Sequence, residues 1–288
     1  MLHEKPHHQK ALPYGGIYRR EPSSLPRGKL QRQDASPQEE PPDMKSLLRA
    51  YGTAGKEVLA ELCWGQRCII CDTPGRSICE RCLIRLPYLD RWTCCPSCGA
   101  PWGHILCCSC NSFALNQLSR TELPFNTCRS ALLYTASGKK LVRSYKDQGE
   151  RTLASFMAAL MVSSMEPVWT REPLSICYIP ASKAAVRKRG FDHMELVASR
   201  IQQATGFPIA RVFSPPNSKD QRRLGRVDRF ANMQEVMHVI PSQRRLVPQR
   251  ILLIDDVYTT GATLFAAADQ LKRHGAKTVY GLTFARVP

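Results

Sequence analysis

Ile251, Leu252, Leu253 and Ile254 form an unbroken apolar run, followed at once by Asp255 and Asp256 and then by Val257, Tyr258, Thr259, Thr260, Gly261, Ala262 and Thr263. Such a run suits a strand covered on both faces, the condition of a strand inside a parallel sheet. Open α/β sheets bind ligands outside the carboxyl ends of their strands, so two carboxylates there face a crevice and are not stranded in a core. They can accept hydrogen bonds from the vicinal hydroxyls of a ribose. The Thr/Gly turn that follows leads into a helix, whose amino end offers free amides and a favourable dipole, so hydroxyls and amides together make a site for one phosphate.

The surrounding text has the same rhythm. From Thr127 onward short apolar stretches alternate with longer amphipathic ones, the pattern of βα units. A strand is expected at Ser175 to Ile179 and a helix from about Asp192 to Thr205. The strand at Ile251 to Ile254 is followed by a helix from Leu264 to His274, with Gly275 at its C-cap, and by a strand at Thr278 to Phe284. The fold class is therefore α/β: an open, mainly parallel sheet flanked by helices, over residues 126–288. Residues 1–43, rich in Pro, Gln, Ser and charge, cannot bury enough apolar surface to offset ordering and are expected to be disordered. Residues 44–62 read as a helical lead-in, and Met44, which opens it, is a candidate start.

Residues 63–125 read as a small Cys-rich module. Four pairs recur there with two intervening residues: Cys68 and Cys71, Cys79 and Cys82, Cys95 and Cys98, Cys107 and Cys110. A two-residue gap lets both sulfurs of a knuckle turn toward one ion, and two knuckles complete the thiolate tetrahedron of structural zinc, so two zinc ions fit the count. Spacing does not say which knuckles pair. A disulfide scaffold is the competing reading, disfavoured because no secretory signal precedes the module. Cys94, Cys108 and His104 are candidate substitute ligands, whereas Cys63, Cys128 and Cys177 are expected to be buried as small apolar residues. Trp64, Trp92 and Trp102 could stack on unpaired bases, but packing inside the small module is the stronger expectation.

Charge narrows the ligand class. Of the net +17, most lies in residues 129–288, which carry 25 Lys and Arg against 12 Asp and Glu. An excess of that kind favours polyanions, nucleic acid or a small polyphosphate. The chain lacks any apolar run long enough to cross a bilayer, so no membrane insertion is expected and the protein is read as cytoplasmic. A basic segment supports the polyphosphate: after Ile179 come Pro180, Ala181, Ser182 and Lys183, then Arg187, Lys188, Arg189 and Gly190. Turn amides and these cations suit a pyrophosphate.

The strand, the two acids and the T-T-G-x-T turn resemble the phosphoribosyl pyrophosphate loop of type I phosphoribosyltransferases; paired acids also end strands of receiver domains, which lack the threonines. The whole arrangement resembles the ComF/GntX family over about residues 64–287: Cys knuckles, Tyr134 and Gly138, Tyr145, Lys146 and Gly149, the turn of Arg189, Gly190 and Phe191, then Gln221, Leu224, Arg229 and Asn232, and finally the loop from Asp255 to Thr263. The resemblance implies a zinc-ribbon-like module followed by a phosphoribosyltransferase domain, and some members serve DNA uptake. Where the family often has Asn and Gln after the Arg-Gly-Phe turn, this chain has Asp192 and His193. Asp192 adds a negative charge near the pyrophosphate, and His193 is expected at a solvent-exposed helix start.

Three functions fit this reading. In the first, an enzyme takes Mg2+-bound phosphoribosyl pyrophosphate: Asp255 and Asp256 hold the ribose, Thr259 to Thr263 the 5-phosphate, and Lys183, Arg187 and Arg189 the leaving pyrophosphate. In the second, the zinc module and basic face grip single-stranded DNA without turnover. In the third, the pocket senses phosphoribosyl pyrophosphate as a regulator.

Overall fold

The structure, a computed structural model, describes residues 66–216 and 226–288, with no account of the side chains of 226–229. The expected disordered extension, the helical lead-in, Met44, Cys63, Trp64, Gln221 and Leu224 lie outside them. In chain order the helices and strands are α1 (Glu80–Ile84), α2 (Ser112–Asn116), β1 (Thr127–Leu133), α3 (Ala136–Asp147), α4 (Leu153–Ser163), β2 (Ser175–Tyr178), α5 (Lys183–Arg189), α6 (His193–Thr205), α7 (Arg226–Val236), β3 (Arg250–Tyr258), α8 (Ala262–Arg273) and β4 (Thr278–Arg286). Two 3-10 turns, Pro167–Arg171 and Pro241–Leu246, complete the order.

The four strands form one all-parallel sheet in the order β1-β4-β3-β2. That is the open parallel α/β architecture expected from the apolar runs. Its centre is β3, buried almost throughout because helices cover both faces. One face packs Leu252, Ile254, Leu282 and Phe284 against α3, α4 and α6; the other packs Ile251, Leu253 and Val279 against α8 and α7. Against expectation β3 does not stop at Ile254. It runs through both aspartates to Tyr258, since Asp255 pairs with Thr283 and Tyr258 with Arg286 on β4.

The Cys-rich segment lies along β1, the outer strand. Tyr88 bridges Leu132 antiparallel, Leu89 donates its amide to Ala131, Leu133 donates to Pro87, and Cys128 donates to Ser97. These bonds occupy backbone groups that an open sheet edge would otherwise present for pairing with another chain. Gly99 makes the closest approach: at φ 70°, a Cβ there would lie 2.5 Å from the Cys128 carbonyl oxygen. The described residues form one compact unit. No helix among the described residues is long and apolar enough to cross a membrane.

Candidate functional site

Both acids are buried toward the carboxyl end of β3, and α3 and α6 converge on Asp256. Asp256 Oδ2 is engaged twice: Lys146 Nζ of α3 forms an ion pair with it, and His193 Nε2 lies 2.7 Å away. The His193 Nδ1 atom faces the Arg189 guanidinium at 3.3 Å, which assigns Nδ1 as acceptor and Nε2–H as donor to Asp256. Burial alone pushes the Asp256 carboxyl up, but the Lys146 charge and the His193 hydrogen bond outweigh it and hold the group below the usual carboxylate range. Among the described residues Asp255 has one hydrogen-bond partner, the Asp256 amide, which donates to its Oδ1 at 2.9 Å. Burial, then the neighbouring Asp256 charge, push its carboxyl from 3.8 up to about 8.

That asymmetry gives a pH-dependent cost. A carboxyl whose proton is held more tightly in the folded state destabilises the fold progressively as pH rises from about 4 to about 8, because the unfolded chain releases the proton first. Asp255→Asn keeps the Oδ1 acceptor and removes the charge. The variant is expected to melt several degrees above the parent at pH 8 and level with it at pH 4, by calorimetric scans across that window.

Local sequence explains how these groups meet. Tyr145 is fully buried, and its hydroxyl donates to the His193 carbonyl at 2.6 Å, pinning the end of α3 to the start of α6 so that Lys146 reaches Asp256. Asp192 is the N-cap of α6: Oδ1 accepts from the Met194 and Glu195 amides, and Oδ2 accepts from the Ala181 amide at 2.8 Å. The negative charge expected near the pyrophosphate is thus met by three backbone donors, and one turn amide expected for pyrophosphate is already occupied. His193 is buried, not at a solvent-exposed helix start, because Asp256 supplies a partner for its ring.

Beyond β3, Thr259 is exposed, Thr260 and Thr263 are half-buried, and Gly261 and Ala262 are buried. Gly261, at φ 86°, opens α8 with no side-chain cap, so the first-turn amides depend on an acceptor from elsewhere. The Thr260 hydroxyl accepts from the Ala262 amide at 3.4 Å. A cavity of about 340 Å³ beside α5 is lined by Lys146, Asp147, Gln148, Gly149, Ala185, Lys188 and Arg189. Helical spacing puts 185, 188 and 189 on one side of α5. Arg189 is thus brought to the cavity together with Lys188 of the same basic run and with Lys146, which was not among the expected cations, while Lys183 and Arg187 are exposed and outside its lining.

The eight cysteines gather into two sets, Cys68, Cys71, Cys79 and Cys82, and Cys95, Cys98, Cys107 and Cys110, each with its sulfurs within 4.8 Å of one another. Neighbouring knuckles pair, an assignment that spacing left open. Sulfur separations of 3.6 Å for Cys71 and Cys79, 3.6 Å for Cys95 and Cys110, and 3.5 Å for Cys98 and Cys107 match the edge of about 3.7 Å of a zinc tetrathiolate with bonds of about 2.3 Å. The donor set therefore fits zinc. Cys94 and Cys108 stay outside both sets, while Cys128 and Cys177 are fully buried. Trp92 and Trp102 are 69% exposed, not packed inside the module, because eight inward-turned sulfurs leave little apolar interior to receive them.

Compared with known proteins, the chain matches no family model. It is 27% identical over 241 residues to the competence protein ComFC of Bacillus subtilis (strain 168), an alignment spanning 76% of this chain and 94% of that one. The chain is a relative of the ComF proteins. The ComFC of Streptococcus pneumoniae (strain ATCC BAA-255 / R6) is 27% identical over 158 residues, 55% of this chain and 67% of that one. Competence protein F of Haemophilus influenzae (strain ATCC 51907 / DSM 11121 / KW20 / Rd) is 24% identical over 155 residues, 51% and 66% respectively. In this ComF relative the ground for the fold is the parallel sheet itself; a solved orotate phosphoribosyltransferase from Aeropyrum pernix overlaps only loosely, with a TM-score of 0.30 and 15% identity over 55% of this chain and 80% of that one.

Proposed function

We propose that this ComF relative binds magnesium phosphoribosyl pyrophosphate and transfers its phosphoribosyl group to an acceptor. The observation that carries the reading is the buried acid pair on β3, flanked by an uncapped helix start on one side and the cavity of Lys146, Lys188 and Arg189 on the other. Asp255 and Asp256 take the ribose hydroxyls, and Thr259, Thr260, Gly261, Ala262 and Thr263 take the 5-phosphate. The diphosphate lies against Lys146, Lys188 and Arg189, with Lys183 and Arg187 adding to the cationic field. Magnesium prefers diphosphate oxygens, waters and one or two carboxylates. Since Asp256 is held by Lys146 and His193, Asp255, on giving up its proton to the arriving cation's charge, would be the carboxylate that holds the ion.

In the transfer the bond from the anomeric carbon to pyrophosphate breaks, the electron pair leaves with pyrophosphate, and an acceptor lone pair forms the new bond while its proton passes to solvent. The cations stabilise the charge that develops on the leaving group. The test is thermal melting with magnesium phosphoribosyl pyrophosphate, followed by assay of pyrophosphate release with a panel of bases. The midpoint is expected to rise because the ligand binds the folded state. A rise without pyrophosphate release from any base would leave the sensing function; an unchanged midpoint would refute the proposal.

A second reading, DNA handling, is favoured by one observation. Trp92, with the Arg91 guanidinium 4.6 Å over its ring, and Trp102 stand exposed on the Cys-rich segment, in the manner of stacking platforms for unpaired bases. The relatives' competence names agree with it. Single-strand affinity that falls with rising salt and is lost on zinc chelation supports this reading, and absent or salt-insensitive binding removes it.

A further inference from the structure

Arg286, at the end of β4, is 2% exposed, and among the described residues no carboxylate lies within ion-pair distance of it. A buried guanidinium demands compensation, since an unpaired charge in a low-dielectric interior is strongly disfavoured. Its polar contacts all lead to one place. One guanidinium nitrogen donates to the Cys98 carbonyl oxygen at 2.7 Å, and another lies 3.7 Å from the Cys98 sulfur. The flat side of the same guanidinium covers the Tyr258 ring at 3.7 Å. Tyr258 in turn lies directly beneath Gly261: a Cβ there would be 2.6 Å from the Tyr258 hydroxyl. A continuous line of contact therefore runs from the second cysteine set, through Arg286 and Tyr258, to the glycine of the Thr/Gly turn.

We propose that the second cysteine set, as a net negative zinc thiolate, is the counter-ion of Arg286, and that Arg286 and Tyr258 are positioning residues which hold the Thr/Gly turn in the shape that receives a phosphate ester. Metal in this set thus conditions ligand binding at a site it does not touch. The ligand half of this statement rests on the phosphoribosyl reading above; the mechanical half does not.

Hydrogen exchange on the full, zinc-loaded chain tests it. Arg286→Gln is expected to retain two zinc ions per chain yet to speed exchange of the amides from Thr259 to Leu264 on the order of tenfold, while α6 exchanges as in the parent. Arg286→Lys, which keeps the charge, is expected to restore much of the protection. Cys71→Ser, in the first cysteine set, is expected to leave the turn as protected as in the parent. Unchanged exchange of the turn in Arg286→Gln, or equal loss in Cys71→Ser, would overturn the proposal, and general loss of protection in α6 would assign Arg286 to the core instead. Affinity for magnesium phosphoribosyl pyrophosphate, read in parallel, separates the two halves: a parent that protects its turn but binds none refutes the phosphoribosyl reading alone.

Discussion

Gly261→Val is expected to abolish binding of any phosphate ester and to lower folding stability by roughly 2–5 kcal/mol, the sum of left-handed backbone strain and overpacking. Both causes act at one atom. At φ 86° a β-branched residue is strained, and the new Cβ would stand 2.6 Å from the Tyr258 hydroxyl. Tyr258 cannot yield, being 4% exposed and covered by Arg286. Urea denaturation reads the first effect and ligand-induced melting shifts the second. A variant with the parent's midpoint and the parent's ligand response would contradict the role given to this turn.

The second large effect concerns the cysteine sets. Structural zinc contributes about 10–16 kcal/mol in finger peptides, as much as the whole stability of a typical domain, so a set that loses its ion should not hold its fold. Cys98→Ser is expected to drop the zinc content from two ions per chain to one and to lower the melting midpoint well below that of Cys71→Ser, which loses the other ion. The difference follows from surroundings. Cys98 is fully buried, its carbonyl accepts from Arg286, and its neighbour Gly99 abuts β1, whereas Cys71 is exposed. Metal analysis beside calorimetry checks both numbers, and equal midpoints would refute the view that the second set is tied to the sheet more firmly than the first.

What could be read from the sequence was what local pattern encodes. The apolar run of β3, the acids after it, the amphipathic α8 and the cysteine pairs are all contained within a few neighbouring residues, so period and spacing identify them. The line at Ile254 was misplaced because Asp255 and Asp256 look like a strand end, although the alternation resumes in Val257 and Tyr258 and β4 is long enough to pair them. Groups brought together from distant elements were not legible. Lys146 was visible as half of a Tyr-Lys motif, yet only the docking of Tyr145 on the His193 backbone shows why Lys146 meets Asp256.

His193 failed for a related reason. A histidine at a helix start is usually solvated, and nothing nearby in sequence announces a buried partner on β3. The cations of α5 were legible as a run but not by face: 3.6-residue spacing, applied to Ala185, Lys188 and Arg189, would have separated them from Arg187. Knuckle pairing is a matter of tertiary geometry, as is the use of Arg286 as a bridge. A lone arginine near the end of a strand carries no signal of its burial.

The most direct test of the phosphoribosyl reading is calorimetric titration of the zinc-loaded full chain with magnesium phosphoribosyl pyrophosphate, set beside the Asp255→Asn/Asp256→Asn double variant. The parent is expected to bind one equivalent and the folded double variant none; a folded parent that gives no binding heat and no melting shift, or a double variant that binds as the parent does, would contradict it.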